Sequence, residues 1–193
     1  YDRLKSFQVE SGGFEMYGKG PGKVGLTAYG LRQFHDMRTV YPQVEEAILY
    51  NAARFLLKTR DGTGGYTTAK SWRGFGVAPK DLTDAYITWS LVTAGGWLKD
   101  GPEIEQTRKL ATTTKDPYLL AIAILTLKDI DSRAANRARE VLVTRQAKDG
   151  SFPGAKTSIV LTRGNTLTVE TTSLAMLALD GADHPSAIIQ AAE

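Results

Sequence analysis

The chain contains no cysteine in its 193 residues. That removes disulfides, a thiol nucleophile and any zinc site built on thiolates. It leaves the compartment open, because a disulfide-free domain can sit anywhere. Histidine is scarce. His35 and His184 lie far apart, and neither has carboxylates at a metal-site spacing. Structural histidines are therefore expected rather than ligands, with no metal and no cofactor. Long apolar runs are also missing. The most apolar stretch, 118–127, is about half of the roughly 20 residues that a membrane-spanning helix needs. The formal net charge of +3 comes from lysines and arginines scattered among acids. Without a basic stripe, nucleic acid is not an expected partner, and the charges read as a solvated surface. The run Gly18-Lys19-Gly20-Pro21-Gly22-Lys23 is glycine-rich and basic. It lacks the Walker spacing and a preceding strand, so it reads as a flexible loop rather than a phosphate cradle. The chain starts at Tyr1 rather than at methionine, with no leader pattern. The expectation is a single partial domain, 1–193, cut from something longer and truncated at both ends.

What is present is helical periodicity. Four segments carry one apolar stripe. In 42–59, Val44, Ile48, Ala52, Phe55 and Leu56 share a face opposite Gln43, Glu46, Arg54 and Lys58. In 131–146, Ala135, Ala138, Val141 and Leu142 read as inward. The segment 102–112 is organised around Ile104, Leu110 and Ala111. The segment 185–193 turns Ile188, Ile189 and Ala192 inward. Four other segments, 24–34, 82–98, 117–127 and 171–179, are apolar nearly all round, and a helix of that kind is buried on every side. The two kinds alternate along the chain. Alternation predicts an all-α fold, an α/α toroid in which an inner ring of helices is covered by an outer ring. Pro102, Pro117 and Pro185 suit first-turn positions. Asp116 and Asp131 suit helix caps. One stretch departs from the pattern. Residues 157–162 and 166–169 are rich in β-branched side chains, with Arg163-Gly164-Asn165 between them. This predicts an inserted β-hairpin near 157–169.

A signature recurs three times. Gly12-Gly13-Phe14 precedes Leu26-Thr27-Ala28-Tyr29. Gly64-Gly65-Tyr66 precedes Leu82-Thr83-Asp84-Ala85-Tyr86. Asp149-Gly150-Ser151-Phe152 precedes Thr171-Thr172-Ser173-Leu174-Ala175. Glycine supplies the left-handed backbone that ends an outer helix. The aromatic folds back and seals the gap between helix pairs. Small residues on the following helix let helices approach closely. The unit at 117–127 lacks its turn, so the repeat is degenerate.

Carboxylate pairs offer sharper readings. Asp81 and Asp84 are three apart, as a general acid/base pair could be. Their place at a helix start favours capping. Asp129 and Asp131 share part of the Asp-x-Asp-Asp proton donor of terpene cyclases. They lie in a helix–helix loop, where capping again prevails. The aromatics Tyr17, Trp72 and Phe75, with Arg73 beside them, are candidates for contacts at a toroid mouth or between domains, or for loop anchors.

The segments Ser11-Gly-Gly-Phe-Glu-Met-Tyr-Gly18 and Val24-Gly-Leu-Thr-Ala-Tyr-Gly-Leu31, with 82–91 and 169–179 after them, resemble the thioester domain of bacterial alpha-2-macroglobulin-like proteins. The likeness runs in order along the whole chain. It implies an α/α toroid in a non-enzymatic protease inhibitor that traps proteases. It also implies an extracytoplasmic location (periplasmic, secreted or cell-surface), and as partners the other domains of a larger parent and, through it, target proteases. In that family a Cys and a Gln form an internal thioester. This chain has no Cys, so it is expected to be scaffold without the reactive bond. Some relatives use a His in the loop after the second glycine–aromatic turn, and here 67–80 contains none. Terpene cyclases, prenyltransferase subunits and polysaccharide lyases share the toroid and similar turns, and an enzyme of that kind is the alternative reading.

Overall fold

The computed structural model describes residues 1–67, 78–181 and 185–192. The described residues form helices α1 (Asp2–Lys5), α2 (Val24–Val40), α3 (Glu46–Leu57), α4 (Lys80–Thr93), α5 (Pro102–Thr113), α6 (Pro117–Leu127), α7 (Ser132–Val143), α8 (Gly164–Leu179) and α9 (Pro185–Ala192). The all-α class expected from periodicity holds. None of these helices is long and apolar enough to cross a membrane. The chain divides into two compact units, Tyr1–Glu103 and Ile104–Glu193.

In the first unit α2 packs against both α3 and α4. Ala28, Leu31 and Phe34 of α2, Ile48, Ala52 and Leu56 of α3, and Ile87 and Leu91 of α4 are buried. The stripe expected on 42–59 holds at Val44, Ile48, Ala52 and Leu56, with Glu46, Arg54 and Lys58 outside, but Phe55 is only half-buried and Leu49 and Ala53 join the buried face. Phe14 stacks on Phe34 with ring centroids 5.4 Å apart. Gly30 makes room for that ring, since a Cβ there would lie 2.7 Å from the Phe14 side chain. Arg32 lies 4.0 Å from the ring centre of Trp89 and donates to Thr93 Oγ1 at 2.5 Å, joining α2 to α4 by charge as well as by packing.

In the second unit α6 packs on α7 and α8, and α8 on α9. Every residue of α6 is buried. Its N-terminus is held by Asp116, whose Oδ1 accepts from the Tyr118 and Leu119 amides at 2.9 and 3.3 Å. Asp116 Oδ2 accepts from the Lys156 amide at 3.0 Å, so one carboxylate caps the buried helix and fastens a distant loop. Asp116→Ala is expected to lower stability by about 2 kcal/mol, the upper range for a cap, because three amides lose their acceptor. Chemical denaturation measures this, and a loss below about 0.5 kcal/mol contradicts the dual role. Asp131 caps α7 through the Ala134 amide at 3.0 Å and accepts from Arg108 Nε at 2.9 Å.

The structure corrects several expectations. No hairpin forms at 157–169. Residues 157–163 are a loop, and 164–169 are the first turns of α8. Within the stretch Thr168 Oγ1 donates back along α8 to the Gly164 carbonyl at 3.5 Å, and just past it Thr171 Oγ1 donates to the Leu167 carbonyl at 2.7 Å. The loop closes on itself through Ser158 and Thr162, whose hydroxyls are 2.7 Å apart. Thr162 also donates to Glu170 Oε2 at 2.6 Å, and Tyr118 donates to Glu170 Oε1 at 3.0 Å. Burial on every side holds for α6 and nearly for α4, but not for 24–34 of α2, where Tyr29 is exposed, nor for 171–179 of α8, where Leu177 is. Val141 and Ile189 face outward. On α7 the buried stripe runs Ala135, Ala138, Arg139, Leu142. Arg139 takes the place expected for Val141 because its stem packs while its Nε donates to the Ala178 carbonyl at 2.8 Å.

Candidate functional site

The three glycine–aromatic turns are one structure repeated. Counting back from the aromatic, the second residue is Gly12, Gly64 or Gly150, and all three are left-handed, with φ of 89°, 101° and 81°. The same amide-to-carbonyl bond closes each loop: Val9 to Gly13 at 2.9 Å, Asp61 to Gly65 at 3.0 Å, and Ala147 to Ser151 at 2.8 Å. Phe14, Tyr66 and Phe152 are all buried. Burial pushes the Tyr66 phenol up, while its hydroxyl lies 3.2 Å from Thr88 Oγ1.

A side chain on the following buried helix then fixes each aromatic. The Phe14 amide donates to Thr27 Oγ1 at 2.8 Å, the Tyr66 amide to Asp84 Oδ1 at 3.2 Å, and the Phe152 amide to Thr172 Oγ1 at 3.0 Å. The small polar residues noted in the sequence therefore act as acceptors for an otherwise orphaned amide.

The residue six before each aromatic forms a second attachment, and the sequence reading missed its role. Gln8 Nε2 donates to the Gly12 carbonyl at 3.0 Å and to the Ile48 carbonyl of α3 at 2.9 Å. Gln146 Nε2 donates to the Gly150 carbonyl at 2.9 Å and to the Ala187 carbonyl of α9 at 2.8 Å. Each amide thus ties its own turn to the next helix. Arg60 occupies the equivalent place and forms a bidentate pair with Glu103, at 2.8 and 2.7 Å. The left-handed glycines sit one turn further along the same helices. A Cβ on Gly12 would lie 2.6 Å from the Asn51 carbonyl, and one on Gly150 would fall on the Gln190 carbonyl. The spacing of six was the available signal.

The second turn differs in carrying charge. Lys80 Nζ lies 2.7 Å from Asp84 Oδ2, 3.2 Å from the Tyr66 carbonyl and 3.5 Å from Asp61 Oδ2. Gly65 leaves the space, since a Cβ there would approach Asp84 Oδ2 to 2.5 Å. The capping role expected for Asp81 and Asp84 is not what forms. Pro79 precedes α4 with no side-chain cap bond, Asp84 fixes the turn, and among the described residues Asp81 accepts from the adjacent Leu82 amide.

Desolvation pushes the Asp84 carboxyl up. Bonds from the Thr63 amide and hydroxyl pull the Asp61 carboxyl down to about 2. A depressed carboxyl contributes stability above its unfolded value and loses it as pH falls through the folded one. Stability from Asp61 is therefore expected to vanish between about pH 4 and pH 2, while Asp84 acts in the opposite sense. Asp61→Asn should flatten that acid limb in a series of denaturation curves. An unchanged limb would show that Asp61 carries no such bond.

Of the residues expected at a mouth or domain contact, Tyr17 is 78% exposed. Trp72, Arg73 and Phe75 lie outside the described residues, as does His184. A cavity of about 220 Å³ is lined by Leu4, Phe7, Phe14, Met16, Tyr29 and Phe34 among others, and Tyr17 is not part of its wall. The adjoining glycine-rich loop already holds an anion of its own. Glu15 Oε2 accepts from the Tyr17 and Lys19 amides at 2.7 and 3.4 Å, which leaves little capacity for a phosphate. Among the described residues no three metal-ligating side chains converge.

Comparison with known proteins places this arrangement. A family model described as the A-macroglobulin TED domain matches residues 1–184. The crystal structure of Salmonella alpha-2-macroglobulin reacted with methylamine is similar over 98% of the chain, with a TM-score of 0.69 and 16% identity. At that identity the likeness is one of fold, and the chain spans 12% of the length of that protein. No curated protein sequence matches.

Proposed function

Because the chain belongs to the A-macroglobulin TED domain family, we propose that it is the helical scaffold of the thioester domain in an alpha-2-macroglobulin-like protease inhibitor. The observation that carries this reading is the family match, which runs unbroken from the first turn to the third. On this reading the chain is a partial domain. Its alternating helices form part of an α/α toroid whose inner ring holds α2, α4, α6 and α8.

The role is mechanical rather than catalytic. These 193 residues contain no cysteine, so they cannot supply the sulfur of a thioester. They can supply stiffness. Each turn is bonded forward to a buried helix and sideways to the next covering helix, or in the second turn to Glu103. Such a frame would shelter a reactive bond and move as a body when a protease cleaves the parent. The exposed Tyr17 would then meet neighbouring domains, as would Trp72, Arg73 and Phe75. The parent would act outside the cytoplasm, with its target proteases as partners.

The flanking coding sequence tests this directly. A Cys-x-Glu-Gln motif shortly upstream, with β-rich domains on either side, supports the proposal. A reading frame that closes near these boundaries with only a short extension refutes it. Turnover of a polyprenyl or uronate substrate by the purified chain would move it to the enzymes that share the toroid.

A further inference from the structure

The first unit contains a second cavity, of about 360 Å³, that the scaffold role does not use. Its walls include His35, Arg38 and Thr39 from the last turns of α2, Glu46 and Leu49 from the start of α3, and Trp97 beyond α4. His35 and Arg38 are three apart, as are Glu46 and Leu49, so each pair shares one helix face. The indole of Trp97 is held in place, with Nε1 donating to the Ala94 carbonyl at 2.8 Å and the Tyr50 ring 5.9 Å away edge-on. Among the described residues Arg38 and Glu46 enter no ion pair, with each other or with any other side chain. Arg38 at the end of α2 and Glu46 at the start of α3 each complement their own helix dipole. That explains why each charge is tolerated. Both side chains are exposed, and they line one cavity together with Leu49 and Trp97.

We propose that this cavity binds a small zwitterion, an α-amino acid with an apolar side chain. Its carboxylate would lie against Arg38 and His35, its ammonium against Glu46, and its side chain against Leu49 and Trp97. Arginine suits a carboxylate because its donors form a planar fork. The two charges would be bridged by the ligand rather than by each other. This inference does not depend on the protease-inhibitor reading.

The test is an amide-shift titration with L-phenylalanine, alongside N-acetyl-L-phenylalanine, which lacks the ammonium, and L-phenylalaninamide, which lacks the carboxylate. The expected result is a saturable shift confined to 35–49 and 94–97, with each blocked form weaker by about tenfold or more, the effect of one charge-assisted bond. Arg38→Gln should abolish the preference for the free carboxylate, and Glu46→Gln the preference for the free ammonium. Both side chains are exposed, so both variants should fold, which circular dichroism checks. No saturable shift overturns the proposal. So do blocked forms that bind as tightly as the free amino acid, or variants that keep both preferences.

Discussion

Replacing Gly150 with alanine is expected to lower stability by about 3 kcal/mol or more, enough to unfold a large share of a marginal domain. Two costs add. Gly150 has φ of 81°, a left-handed backbone that costs an L-residue roughly 1–2 kcal/mol. The new methyl would also fall on the Gln190 carbonyl, which is helix backbone and cannot rotate away. Either α9 is pushed off the turn or the turn opens, and both release the bond from Gln146 to the Ala187 carbonyl. Gly154 is the internal control. Its φ is 97°, yet a Cβ there meets nothing within 4 Å. Gly154→Ala should cost only the conformational part, about 1–2 kcal/mol. Denaturation of the two variants side by side separates close approach from backbone strain. Equal losses would mean that the third turn is not seated on α9.

Arg60→Leu is expected to cost about 2 kcal/mol or more, because it removes both bonds of a bidentate guanidinium from a buried carboxylate. The Glu103 side chain is 0% exposed, whereas that of Arg60 is 34% exposed. The bond to Glu103 pushes the Arg60 guanidinium up, in keeping with a strong pair. The double variant Arg60→Leu/Glu103→Leu should recover most of the loss, since replacing both partners removes the burial penalty with the pair. A double variant as unstable as the single one would show that the pair contributes specific bonding that an apolar contact cannot replace.

Much of this was legible in the sequence because it rests on local chemistry. The prolines at 102, 117 and 185 each open a helix, and Asp116 and Asp131 each cap one. The stripe of α3 followed from its 3.6-residue period. The glycine–aromatic turns were visible because the left-handed position requires glycine two residues before the aromatic, and that order recurs three times. The 157–169 stretch misled because β-branching lowers helix propensity only slightly, and burial of Leu167, Thr171, Ala175 and Ala178 along α8 outweighs it. Asp84 was read as a cap because its sequence position at a helix start is right for one. Its partner, the Tyr66 amide, lies 18 residues away and is brought there by the fold. The spacing of Gln8 and Gln146 from their turns is local, but their second acceptors lie 40 and 41 residues downstream, beyond a local reading.

The most direct test of the scaffold role uses the full-length parent protein and an active protease. The two are mixed, cleavage of the parent is followed on a gel, and size-exclusion chromatography shows where the protease travels. Membership of a protease-trapping thioester protein predicts that cleavage is followed by co-elution of the protease with the parent and loss of its activity on a large protein substrate. A parent that is cleaved while the protease elutes alone and fully active would contradict it.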